Sequence, residues 1–217
     1  KVVLGGAESS PVRPFEAVLW HLRRPKDGEE LALMRLAAQA TRNGHQRALA
    51  AMHPGSSERD IAAEIEYGFA LGGGTGLGYG TIVGFGSNAA VLHFAPSSRQ
   101  LGAGEMVLVD AGAQVHGYVI DVTRTYLAQS PEQKELYAFV LEALRQASAM
   151  CLAGVEWLDV HAKACHVLAD GLHQMGVLKC NADEACESEA IATFMPHGVG
   201  HAVGLGVRDC SGPPPAR

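Results

Sequence analysis

Residues Met106–Thr125 read MVLVDAGAQVHGYVIDVTRT, and the fold of this chain turns on how that stretch is understood. An apolar run, MVLV, ends on Asp110; a small, turn-forming segment AGAQVHG follows; a second apolar run, YVI, ends on Asp121. This pattern predicts a β-hairpin or two adjacent strands. Each carboxylate stands where hydrophobic sequence would otherwise continue. Burying a carboxylate costs several kcal/mol unless a cation or a strong set of hydrogen bonds compensates. A lone aspartate at a strand end is most simply a cap for backbone amides. Two of them, with a downstream segment FMPHGVGHAVGLGVRD (Phe194–Asp209) that sets His197 and His201 four apart among glycines, make the donor inventory of a hard-metal hydrolase.

The rest of the chain fits around this centre. Its 217 residues are 47% hydrophobic and 18% charged, ordinary for a globular core. A net charge of -6 without a Lys/Arg cluster argues against nucleic acid or an anionic membrane as partner. No run of 18 apolar residues suggests a membrane span, and the first residues carry no h-region of signal-peptide length. Five cysteines without a C-x-x-C pair fit free thiols in a reducing compartment, with the cytoplasm as the default.

Residues 1–24 mix Gly-Gly, Ser-Ser and two prolines and suit a linker, or the remnant of a preceding N-terminal domain. Helices are expected near 26–52, 58–71, 131–151 and 158–175. Capping boxes at Asp27/Glu30, Ser57/Asp60 and Ser130/Gln133 mark three of the starts. Apolar stripes run Leu31, Met34, Ala38, His45, Leu49, Met52 in the first; Ile61, Ile65, Phe69 in the second; Leu136, Val140, Leu144, Ala147 in the third; and Val160, Ala164, Leu168 in the fourth. The Gly72–Gly80 run is no phosphate loop, since the strand-like TIVGF follows it and no G-K-[ST] occurs. A further strand, Ala90–Phe94, is expected to carry His93 at its end. PGSSERDIAAEI and AGVEWLDVHAKA echo each other at a constant offset of 99 residues (Gly55 to Gly154, Asp60 to Asp159), which suggests an internal duplication about a pseudo-twofold axis.

Taken together, TIVGFGSNAAVLHF, the VDAGA and GYVIDVTRTY pieces, the PGSS and DVH helix starts and PHGVGHAVGLGVRD resemble the pita-bread-fold metallopeptidases, and within them aminopeptidase P and prolidase. The resemblance covers roughly residues 25–217. It implies an α+β pita-bread fold: a curved, mostly antiparallel sheet with helices on its outer face. It also implies metal-dependent hydrolysis of Xaa-Pro peptide bonds through a metal-activated water, with two divalent ions, manganese favoured over cobalt or zinc. Asp110, Asp121 and His201 match metal ligands, Thr123 the hydroxyl beside the bridging water, and His93 and His197 the catalytic, substrate-side histidines. The implied substrate is a peptide with proline at its second position, and the implied assembly a homo-oligomer.

Two departures stand out. Where the family has V-H-D this chain has Val207-Arg208-Asp209, so a substrate-side histidine is replaced by a cation able to grip a carboxylate. Two further glutamate ligands of the family fall beyond GPPPAR, so the catalytic domain over 25–217 is expected to lack its C-terminal part and, alone, to be inactive. Dipeptidase chemistry and a non-catalytic binding module are the alternatives.

Overall fold

The computed structural model describes residues 15–210. Helix α1 (Phe15–Arg23) leads into α2 (Gly28–Ala51) and α3 (Glu58–Leu71). Six short strands follow: β1 (Gly76–Leu77), β2 (Ile82–Phe85), β3 (Val107–Asp110), β4 (Ala113–Val115), β5 (Tyr118–Val119) and β6 (Thr123–Tyr126). The chain then forms α4 (Pro131–Ala149), α5 (Trp157–Gln174) and α6 (Ala182–Glu187). All three expected capping boxes form, so local sequence sets these helix starts as the spacing predicts.

The strands make two antiparallel three-stranded sheets, β1-β4-β5 and β2-β3-β6. β3 runs on into β4 through Ala111 and Gly112, and backbone bonds cross the junction from Ala111 N to Val122 O (3.1 Å) and from Gly78 N to Gly112 O (2.8 Å). One surface therefore bends here while its pairing continues. Gly112 permits the bend, because a Cβ at this position would lie 1.6 Å from the Ile120 carbonyl oxygen.

Strand periodicity decides where the acids point. In β3, Val107 and Val109 are buried while Leu108 and Asp110 are half-buried on the opposite face. Val107 and Val109 pack with Val83 and Phe85 of β2 and with Ile61, Ile65 and Phe69 of α3, the stripe expected for that helix. α2 and α3 approach closely at Gly44 and Gly68, where a Cβ on Gly44 would strike the Phe69 ring at 2.3 Å.

Several expectations need correction. Of the stripe expected for α2, His45 is buried, against Tyr126 and the Ala111 carbonyl, but Leu31 and Leu49 are exposed; the helix otherwise buries Ala37, Ala40, Thr41, Gly44 and Ala48, small residues that suit the close contact with α3. In α4 the Leu136, Val140 and Leu144 stripe is exposed, and Ala143 and Ala147 carry the packing. Ala90–Phe94 is not a strand: a 3-10 helix spans Gly86–Ala90, and His93 follows with φ +55°. Within the region expected to be a linker, Phe15–Arg23 is helical; residues 1–14 lie outside the described residues. The repeat survives in the helix pairs. Gly55 and Gly154 both take positive φ (93° and 89°) two residues before the N-caps of α3 and α5. Among the described residues no named strand follows α5.

Glu58, which the sequence reading passed over, holds the His93 segment in place. Its side chain is fully buried at the start of α3, and its carboxylate accepts from Phe85 N (2.9 Å), Asn88 Nδ2 (2.8 Å), Ser97 N (3.0 Å) and Ser97 Oγ (2.5 Å). Desolvation pushes its pKa up, but the bonds from Ser97, Asn88 and the Phe85 amide together prevail and hold it below the usual glutamate value. A lowered folded pKa means that this stabilisation is present above the unfolded pKa and is lost as pH falls through the folded one. Glu58→Ala should therefore cost about 4 kcal/mol in urea unfolding, since it strands several buried donors. Glu58→Gln should flatten the acid-side loss of stability. An unfolding midpoint unmoved by either substitution would remove Glu58 from this role.

Candidate metal-binding site

Asp110 ends β3, paired with Thr123 of β6 on one side and Ile82 of β2 on the other; Asp121 lies just ahead of β6. The antiparallel register brings the two acids to one end of the sheet. Between them stands Tyr79, whose hydroxyl lies 2.6 Å from Asp110 Oδ1 and 2.9 Å from Asp121 Oδ1 and accepts from Val122 N at 3.3 Å. Burial, followed by the bond to Asp110, pushes the Tyr79 pKa far above its ordinary value, so the phenol keeps its proton and acts as a donor.

A hydroxyl has one proton to give, and here two carboxylates compete for it. Burial raises the pKa of Asp110, and the Asp121 charge adds to that rise against the opposing bonds from Tyr79 and Thr123. The pocket thus concentrates negative charge that its own donors do not balance.

His201 reaches the same place from the far end of the chain. Its Nε2 is 3.2 Å from Asp121 Oδ2, and its Nδ1 is 3.1 Å from the Ala202 carbonyl oxygen. Both neighbours are acceptors, and a neutral imidazole has a single N–H. In the tautomer with Nδ1–H on the carbonyl, Nε2 presents its lone pair beside the Asp121 carboxylate, the form in which an imidazole binds a cation. In chemical type the donors fit a divalent cation. They do not close into a complete site: among the described residues no three His, Cys, Asp or Glu side chains are gathered tightly enough to hold a metal ion.

These groups line a cavity of about 450 Å³. His93 and Arg208 also line it, with Phe94, Pro96 and Val207 as apolar wall. His197 does not line it; that side chain is exposed, with Nδ1 2.9 Å from its neighbour's carbonyl, Gly198 O. Two residues of the cavity escaped sequence reasoning. Tyr79 sits inside the glycine-rich run, where nothing local marks it, and its ring lies close against the backbone at Gly112, where a Cβ would come within 3.1 Å of it. Thr81 is buried with a hydroxyl that has no partner, and nothing in its sequence context marks it.

Residues 32–216 match metallopeptidase family M24. The chain is 34% identical over 198 residues to the Xaa-Pro aminopeptidase of Escherichia coli, covering 90% of this chain and 45% of that protein. Among solved structures, aminopeptidase PepP of Pseudomonas aeruginosa superposes with a TM-score of 0.85 at 36% identity, over 88% of this chain and 44% of that one. Zinc-substituted E. coli aminopeptidase P in complex with product gives 0.87 at 33% identity, over 90% and 45%. The α+β pita-bread architecture expected from the sequence is thereby established, and the chain spans a little under half the length of the relatives it matches.

If Tyr79 is what keeps the two carboxylates together, Tyr79→Phe should lower the unfolding free energy of metal-free protein by about 1–3 kcal/mol. The loss should shrink as salt screens the released repulsion. Equal stability of the two proteins at low ionic strength would contradict the shared-donor account.

Proposed function

The chain belongs to metallopeptidase family M24, and on that premise we propose that the protein it represents is an Xaa-Pro aminopeptidase. Its substrate would be a peptide with proline at the second position. One observation carries the reading: Asp110 and Asp121, joined by a short hairpin, and His201, some eighty residues further on, line a single cavity in which the acids compete for one phenolic proton. The E. coli protein, similar over nine-tenths of this chain, is named for that activity.

In this proposal the two aspartates and His201 Nε2 hold divalent metal. Two ions are assigned, with manganese suited to a carboxylate-rich donor set and cobalt or zinc as substitutes. A bound ion supplies Lewis acidity toward water and toward the scissile carbonyl. The chain's own groups do the rest. Tyr79 holds the carboxylates in register, and the Ala202 carbonyl would accept from His201 Nδ1–H, leaving Nε2 free to coordinate. His93 on the cavity wall, and His197 four residues ahead of His201, are assigned to the substrate, gripping the carbonyl or delivering a proton to the departing proline nitrogen. Arg208 on the same wall offers a cation to a peptide carboxylate. Phe94, Pro96 and Val207 provide apolar surface against which a pyrrolidine ring can pack. Five free thiols suit a reducing compartment, the cytoplasm, and no helix among the described residues is long and apolar enough to cross a membrane. A homo-oligomer of the whole protein is part of the proposal.

Asp121→Asn and His201→Ala in the complete protein should lose bound manganese, and activity with it. His93→Ala and His197→Ala should keep the metal and slow turnover of an Xaa-Pro peptide roughly a hundred- to thousandfold. Metal retained in His201→Ala but stripped from His93→Ala would reverse the assignment. Residues 1–217 alone should bind metal weakly and show little turnover, because two carboxylates and one imidazole are few ligands for two hard cations; full turnover by this piece would refute that.

A further inference from the structure

The loop that carries His201, Val207 and Arg208 into the cavity has almost no regular structure of its own; residues 194–210 hold a single isolated bridge, Gly204 to Gly206. Its shape is set by one side chain. The Asp209 side chain is 1% exposed, and its carboxylate gathers four donors: Arg23 Nη2 at 2.9 Å, Lys26 Nζ at 3.0 Å, and the amides of Cys210 (2.8 Å) and Leu205 (3.3 Å). Two of these are the loop's own backbone, and two are cations from the segment that precedes α2. Arg23 also donates to the Leu205 carbonyl, and Lys26 Nζ to the Arg23 carbonyl at 2.8 Å, so the two cations and the loop form one network. The loop is further tied by Asp209 N to Ala202 O (3.0 Å) and by Val119 N to Gly204 O (2.8 Å). Gly204 has no room for a side chain here, since its Cβ would meet Asp209 Oδ2 at 2.2 Å.

We propose that Asp209, with Arg23 and Lys26, is the positioning group of the site: it fixes His201 and Arg208 through the loop, and it makes the segment before α2 a structural part of the active centre. Arg23, at the end of the stretch that sequence alone marks as a linker, and Lys26 just beyond it thus supply the countercharge for a carboxylate that does not line the cavity. The buried carboxylate needs both cations, since removing one partner of such a pair leaves charge uncompensated. Once the network is released, Arg208 and His201 are free to shift relative to Asp110 and Asp121. A displacement of about 1 Å of a group aligned on a substrate can cost on the order of a hundredfold in rate. Arg208 is adjacent to Asp209 and would register the loss as weakened substrate binding, whereas His201 would register it as weakened metal binding.

The proposal rests on the functional reading only for its kinetic arm. In the complete, manganese-loaded protein, Lys26→Met and Arg23→Gln should each lower kcat/KM for an Xaa-Pro peptide roughly tenfold or more, with KM rising, while Lys26→Arg restores it. Hydrogen exchange of the same proteins without substrate should show faster exchange of the amides of residues 201–210 and unchanged protection in β2, β3 and α3. The double substitution should be little worse than the worse single one, as expected for a shared network. Unchanged exchange in 201–210 in both single variants would overturn the proposal. So would additive effects on kcat/KM that Lys26→Arg fails to rescue. If wild type does not cleave Xaa-Pro peptides, the functional reading fails, and exchange of 201–210 still decides the role of Asp209. Asp209→Asn gives the largest expected effect, and the two cation variants keep the test open if that protein does not fold.

Discussion

Two carboxylates that a single phenol cannot satisfy are the constraint on which the site depends. Asp110 and Asp121 are brought together by strand register, half-buried, and offered one shared proton by Tyr79. Like charges this close on half-buried carboxylates repel more strongly than they would in water. The fold has to hold them there by force of packing, and it does so with the best-buried part of the molecule: Val83, Phe85, Val107 and Val109 on the sheet, backed by Ile61, Ile65 and Phe69. The side of β3 that is all valine is what holds the side that carries Asp110.

Around that pair, irregular segments are pinned by buried carboxylates of a different kind. Glu58 holds the segment that carries His93, and Asp209 holds the loop that carries His201 and Arg208. Both acids are saturated with donors, and both have pKa values below the ordinary range although desolvation works against them. Asp110 is the opposite case, with too few donors and a raised pKa. A carboxylate with all its bonds made is structural. One left short beside another acid and an imidazole is where a cation is wanted.

Much of this was legible in the sequence because it is local. Capping boxes depend on residues three apart, and all three form where their spacing places them. The acids of Met106–Thr125 could be paired because the strands that carry them are separated only by a short hairpin. The errors have one origin, which is that contacts between distant segments override local pattern. Ala90–Phe94 looks like a strand by composition, but Glu58 draws Phe85, Asn88 and Ser97 around itself and leaves a 3-10 turn and a left-handed His93. The α2 stripe holds at His45 but fails at Leu31 and Leu49, because leucines look like core while the Gly44–Gly68 crossing brings the two helices too close for large side chains between them. Tyr79, Glu58 and the Arg23–Asp209 pair were invisible for the same reason: their roles exist only between elements far apart in the chain.

The central proposal is that His201, and not His93, is the imidazole that would hold the metal. Electron spin-echo modulation of the complete protein loaded with Mn²⁺ tests it directly, because a coordinated imidazole nitrogen imprints its frequencies on the echo. The account predicts one such nitrogen in the wild type and in His93→Ala, and none in His201→Ala. Nitrogen modulation that persists without His201, or that vanishes when His93 is removed, would contradict it.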